Sequence, residues 1–291
     1  MASSRSKPKP APETKPAHKL RIVPRPPRPR DLLQPTAFPI HPFDQAHGVD
    51  TSGLVPARHL VTGHAHDEHV TAYYGVAPSI LRALVARWRE TVPPHPISSY
   101  TFLDIGAGKG RALLVASEIP FRRVLGVELN HALAEIARAN AAHWMRAHAA
   151  DPTAPLLAPI AILEQDALEL ALPATPTLIF LFHPFEAPML RRLLRHIETQ
   201  LAAHAKSAAT GNGAEPEVPA LQPDLDILYV NAECAAVLDR HPAFTRLFLG
   251  QVAMSHQDHA ADLEAIAQQK EYGSTGDEEC AIYRYTGRSK G

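Results

Sequence analysis

Cysteine is almost missing from this chain: 291 residues include two, Cys234 and Cys280, far apart and in no redox or metal-ligand spacing. That excludes a disulfide framework and points to a reducing compartment with ordinary buried thiols. Long apolar runs are missing as well. None approaches membrane-spanning length, and the N-terminus lacks the apolar centre of a secretory signal. The expectation is a soluble, cytoplasmic protein without membrane contact. Hydrophobic residues still make up 45%, enough to build a core for one large domain or two small ones.

Acid is scarce at the front. Residues 1–40 hold nine basic side chains (Arg5, Lys7, Lys9, Lys15, Lys19, Arg21, Arg25, Arg28 and Arg30) against Glu13 and Asp31. With 29 basic and 30 acidic residues in all, the remainder has 29 − 9 = 20 basic and 30 − 2 = 28 acidic, so a basic tail precedes an acidic body. Its prolines, as in Pro24-Arg25-Pro26-Pro27-Arg28-Pro29, block helix and favour extended, solvated chain. The tail reads as a disordered solubilising extension, with nucleic acid or an acidic partner as the functional alternative.

The informative stretch is Phe102-Leu103-Asp104-Ile105-Gly106-Ala107-Gly108-Lys109-Gly110-Arg111, followed by the apolar helical pattern Ala112 to Ala116. It predicts a buried strand, a turn open to close ligand approach, and a helix N-terminus aimed into that turn. A dinucleotide turn prefers G-x-G-x-x-G, which the alternating glycines do not match. A phosphate loop needs glycine where Leu103 stands and Ser or Thr where Gly110 stands. An acid in the turn repels phosphate and suits a cationic ligand.

The pattern along the chain predicts an α/β fold. Residues 41–98 read as a helical N-terminal extension, with Phe43 to Thr91 helical in the main. A clear helix begins near Pro78, where Ile80, Leu81, Leu84, Val85 and Trp88 recur at helical spacing. Strands are expected through Phe102–Leu103, Val124–Glu128, Ile160–Leu163, Thr177–Phe182, Leu225–Val230, Phe244–Leu249 and Ala281–Tyr285. Helices fill the gaps from His131 to Ala147 and from Pro188 onward. Residues 205–224 read as a flexible insertion, and no good helix is expected between the last two strands.

The turn Asp104-x-Gly106-x-Gly108-x-Gly110 resembles the first motif of the class I, Rossmann-like methyltransferases. The resemblance spans roughly residues 95–290. It implies a doubly wound, mostly parallel seven-stranded sheet whose last strand inserts antiparallel beside the fifth, over residues 99–290. It also implies S-adenosyl-L-methionine as cofactor and methyl transfer to an N or O acceptor. Asp104, Gly106, Ala107, Gly108 and Gly110 would form the amino-acid end of that site. Glu128, at the end of the second strand, suits bidentate hydrogen bonds to ribose hydroxyls, with Asn130 the better helix cap. Asp166 and Ala167, at the end of the third, would take the adenine.

The fourth strand delivers His183-Pro184-Phe185 to the same edge. Amino-group methyltransferases carry Asn or Asp there, so His183 departs from the pattern and is the candidate general base. A histidine satisfied by local backbone is the alternative. The segment Phe43 to Gly53 resembles a stretch found upstream in a set of bacterial methyltransferase-like proteins, paired with an aromatic such as Tyr73-Tyr74. Tyr73, Tyr74, Pro184 and Phe185 are therefore expected to wall the acceptor pocket. The acceptor is open, a small metabolite or a protein lysine, the latter by a faint similarity to non-SET histone-lysine methyltransferases. His64-Ala65-His66-Asp67-Glu68-His69 is similar to the metal motif of metallo-β-lactamase-like hydrolases, yet the downstream ligands of that site are missing, so no metal is expected. Two competing functions stay open: a non-catalytic cofactor-binding module tethered by its tail, and an oxidoreductase.

Overall fold

A computed structural model describes residues 39–65, 67–210, 224–268 and 276–287. Most of the basic tail, His66 and the greater part of the expected insertion lie outside the described residues. Seven strands form one sheet: β1 (Thr101–Ile105), β2 (Arg123–Glu128), β3 (Ile160–Glu164), β4 (Thr177–Phe182), β5 (Leu225–Val230), β6 (Phe244–Ala253) and β7 (Asp277–Tyr285). Their order is β3-β2-β1-β4-β5-β7-β6. β7 runs antiparallel to both β5 and β6, and the other six strands share one direction. This is the expected sheet, closing strand included.

The strands alternate their side chains between two cores, as the pleat demands. Phe102, Val124, Leu178 and Phe180 face one side, Leu103, Leu125, Ile179 and Leu181 the other. On the first side lie α2 (Pro78–Glu90), α3 (Arg111–Ser117) and α4 (His131–Ala149); α1 (Pro42–His47) adds Phe43 at its margin. On the second lie α5 (Ala187–Thr210) and the short α6 (Ala235–Asp239). The strand order reverses between β1 and β4, so the crevice beyond their carboxyl ends is the switch point at which open α/β sheets bind ligands.

Three expectations change. The stretch from Phe43 to Thr91 is α-helical only at its ends, α1 and α2, with single 3-10 turns at Ala57–His59 and Asp67–His69. Between them residues 48–77 form an irregular strap, interrupted by Pro56 and by Gly48, Gly53 and Gly63 at positive φ. The strap is tied by two isolated bridges, Val55 with Tyr73 and Val70 with Phe185. Next, α5 continues to Thr210, past the expected start of the insertion at residue 205, because Ala202, Ala203 and Ala205 propagate a helix. Last, a helix, α7 (His256–Gln268), stands between β6 and β7 where none was expected. Its buried face is acidic: Asp258 and Asp262 are buried while Leu263 is exposed, so hydrophobic periodicity misreads it.

Candidate functional site

A cleft opens at the carboxyl ends of β1 to β4, enclosing about 990 Å³ of non-atom space, solvent at its mouth included. Asp104, Gly106, Ala107, Gly108, Glu128, Asp166 and Ala167 all line it, as do Tyr73, Tyr74, Pro184 and Phe185. Two expected residues do not. Gly110 starts α3 behind the turn, and the His183 ring lies outside the lining, although its neighbours Phe182 and Pro184 belong to it.

Asp104 is the unusual member. Its carboxylate is 3% exposed and makes no hydrogen bond or ion pair within the described residues. Burial, and then the nearby Glu128 charge, pushes its pKa up to about 8. Buried polar groups are nearly always satisfied, so one that faces a cleft without a partner calls for a ligand that supplies a donor or a positive charge.

Glu128 is, by contrast, well held. One oxygen accepts the Gly108 N–H at 2.7 Å and the other the Asn130 N–H at 2.8 Å. These bonds oppose the burial that raises its pKa. They also fasten the glycine turn to β2, with Glu128 itself part of the cleft wall. Asn130 caps α4 through the Leu133 N–H, as its position suggested. Asp166 caps the turn at residues 167–169 by accepting the Leu168 N–H at 2.8 Å, and its second oxygen stands 3.9 Å from the His64 imidazole.

The strap roofs the cleft through close contact with the turn. Gly106, Gly108 and Gly110 have φ values of 80°, 55° and 87°. At Gly108 a Cβ would sit 2.3 Å from the Tyr73 ring, so only glycine permits this approach. The Tyr73 hydroxyl donates to the Thr51 carbonyl at 2.7 Å. Lys109 turns away from the cleft, donating to Asp50 at 3.0 Å and to the Ser52 carbonyl at 2.7 Å.

Arg111 was not singled out by the sequence reading. Its buried guanidinium lines the cleft and donates to the Thr51 hydroxyl at 2.7 Å, the Thr51 carbonyl at 3.0 Å and the Gly75 carbonyl at 3.1 Å. Asp44 stands 3.9 Å away and itself accepts from the Thr51 N–H and the Ser52 hydroxyl, each at 2.6 Å. A signal was present: Arg111 is the single charge in the helix Arg-Ala-Leu-Leu-Val-Ala-Ser, all of which is buried.

At the end of β4, His183 adopts φ 40°. This left-handed backbone turns its imidazole toward β5, with Nδ1 3.5 Å from the Tyr229 hydroxyl and Nε2 3.6 Å from Glu233. Its carbonyl accepts from the Thr71 hydroxyl at 2.9 Å, which binds the strap to this loop. Tyr74 donates to Asp262 of α7 at 2.6 Å; burial and the Asp262 charge push its phenol up, so it serves as a donor rather than a base. In the histidine-rich segment the Asp67 carboxylate accepts the N–H groups of Thr62, Gly63 and His64, His64 faces Asp166, and His69 lines the cleft.

The sheet order and the single antiparallel strand define a Rossmann-like, doubly wound seven-stranded fold. No family model matches the chain, and no curated protein does. Among solved structures, it is similar to magnesium protoporphyrin IX methyltransferase from Synechocystis PCC 6803, crystallised with bound S-adenosylmethionine. Identity is 11%, over 71% of this chain and 76% of that one, with a TM-score of 0.40. It is similar to precorrin-6y C5,15-methyltransferase from Geobacter metallireducens at 14% identity, over 71% and 85%, with a TM-score of 0.39. A ribosomal protein L11 methylase from Lactobacillus delbrueckii is 13% identical over 69% and 77%, with a TM-score of 0.37. These are likenesses of chain course at low identity.

Proposed function

We propose that this chain is an S-adenosylmethionine-dependent methyltransferase acting on a nitrogen or oxygen acceptor. The observation that carries the reading is the unpartnered, buried Asp104 carboxylate facing a cleft that Glu128 and Asp166 also line. A ligand with an ammonium group at one end, ribose hydroxyls in the middle and an aminopurine at the other satisfies all three. A nicotinamide dinucleotide would bring phosphates toward Asp104 instead.

The residues fit the cofactor, which when bound supplies an electrophilic methyl group on a sulfonium. Asp104 accepts from the amino group and gives up its own proton on doing so. Arg111 places a fixed positive charge at the same end of the cleft, complementary to a carboxylate. Glu128 accepts from the ribose hydroxyls with its remaining lone pairs, and Asp166 with the Ala167 N–H holds the base. Tyr73 presses on Gly108 and excludes water from the turn. The chain's main contribution to rate is orientation of the acceptor for in-line attack. The acceptor–methyl bond would form as the sulfur–methyl bond breaks, leaving the neutral thioether S-adenosylhomocysteine, and the acceptor would lose a proton. His183 is proposed to take it from an acceptor that projects past the cleft rim, where Phe182 and Pro184 flank it, while the Tyr74 hydroxyl, its proton held by Asp262, offers a lone pair to an acceptor N–H or O–H.

Thermal shift with S-adenosylmethionine, S-adenosylhomocysteine and NAD tests the binding claim, because a ligand of the folded state raises its stability. The first two raise the melting temperature and NAD does not; no response to either of the first two rejects the reading. His183→Ala then keeps that shift and loses transfer of labelled methyl to a cell lysate.

A further inference from the structure

Away from the cleft, α5 and the segment that follows it across the sheet form a groove lined by Arg191, Arg195, Arg240 and His241 over a floor of Val237 and Pro242. None of the three guanidiniums has a carboxylate within 4.0 Å among the described residues, whereas Arg82, Arg138, Arg246 and Arg284 each have one. Two acids lie nearby, one turned to a neighbouring strand and one at the edge of the groove itself. Asp239 accepts from Arg246 at 2.8 Å and from the Tyr283 hydroxyl at 3.0 Å, and Glu198 stands 3.5 Å from His241.

This arrangement carries a stability cost that packing does not explain. Arg191 and Arg195 are four residues apart on α5, a like-charge pair that weakens a helix. The first turn of α5 has no acid to complement its positive end. All three arginines are exposed, so they bury nothing in return. The concentration of charge also runs against the body of the chain, where acids outnumber bases 28 to 20 beyond residue 40.

We propose that this groove binds the phosphodiester backbone of a nucleic acid. Guanidinium forks pair with phosphate oxygens in bidentate fashion. A row of three suits successive phosphates, and the Val237–Pro242 floor offers apolar contact to sugars. A lone small anion would leave part of the row unpaired. The groove starts within two turns of Met189, which lines the cleft from the same helix, so a bound strand passes close to the acceptor side. The nine basic residues of positions 1–40 would add sequence-independent attraction to the same polyanion.

The test uses the full chain with a fluorescein-labelled single-stranded oligonucleotide, as RNA and as DNA, and anisotropy measured across a potassium chloride series. A triple Arg191→Ala, Arg195→Ala, Arg240→Ala variant is compared with wild type. The expected result is an affinity at least about tenfold weaker and a slope of log K against log salt shallower by about 2, the value for three phosphates on a single strand. The corresponding triple lysine variant keeps most of the slope, which separates lost charge from lost fold. The thermal shift with S-adenosylmethionine stays as in wild type in both variants. An unchanged slope in the alanine variant overturns the proposal, as does a groove that takes inorganic pyrophosphate and no oligonucleotide. RNA binding without DNA binding, or the reverse, supports it and names the polymer.

Discussion

Asp104 ties stability to ligand binding through one proton. The unfolded chain loses that proton near the ordinary aspartate value, about 3.9, and the folded protein holds it to about 8. Between these limits the folded state binds more protons, so this group's contribution is most favourable below pH 4, is lost as pH rises, and is exhausted above pH 8. Asp104→Asn mimics the neutral acid. Without ligand, the variant is expected to match wild type most closely near pH 4 and to melt at a higher temperature at pH 8.5. With S-adenosylmethionine the order reverses, because wild type gains a salt bridge and the variant does not. Melting curves at the two pH values, with and without ligand, check this; a variant no more stable at pH 8.5 would refute the account. The three acids were legible in the sequence because strand ends in a doubly wound sheet fall on one edge. The direction of the His183 ring was not, since it depends on a left-handed backbone at a residue with a Cβ.

At the scale of elements, the glycine turn and the strap act as one unit. Gly108→Ala places a methyl within the Tyr73 ring and also strains a backbone at φ 55°. The strap must lift, and S-adenosylmethionine affinity is expected to fall by about tenfold or more, the size of a lost contact of 1.4 kcal/mol. Tyr73→Ala in the same protein removes the collision but not the strain, so it recovers part of the loss. Isothermal titration of the single and double variants checks the coupling, and purely additive losses would show that Tyr73 does not roof the turn. Arg111→Met tests the other fastening. It leaves Asp44 without its buried counter-charge and is expected to cost about 3–5 kcal/mol in denaturant unfolding. Neither fastening could be read from spacing alone. Thr51 and Ser52 lie about 60 residues from Arg111, and only the strap's path brings them together. α7 was hidden for a related reason: its buried face is two aspartates that serve the Ser79 N–H and the Tyr74 hydroxyl.

For the molecule as a whole, the N-terminal segment has two mechanical parts. The strap contributes contacts at the cleft, whereas α2 belongs to the core of the sheet. Ile80, Leu81, Leu84 and Trp88 are fully buried and Val85 is 2% exposed. Trp88 donates its indole N–H at 2.7 Å to Asp226 on β5, which also accepts from Arg284 on β7 at 2.9 Å. The helix therefore links the first half of the chain to its closing strands. Burying five such side chains is worth roughly 7–15 kcal/mol as an upper estimate, about the whole net stability of a domain. A chain beginning after Val92 should consequently fail to unfold cooperatively, although it keeps every strand and the complete glycine turn. Trp88→Ala in the full chain should lose about 3–5 kcal/mol yet retain one cooperative transition. Urea unfolding followed by circular dichroism distinguishes the cases. If the shortened chain melts cooperatively with near-native stability, α2 is an appendage and the sheet with its remaining helices is self-sufficient. If it does not, opening at the cleft is confined to the 48–77 strap, since lifting α2 along with it would dismantle the core on which Asp104 and Glu128 are placed.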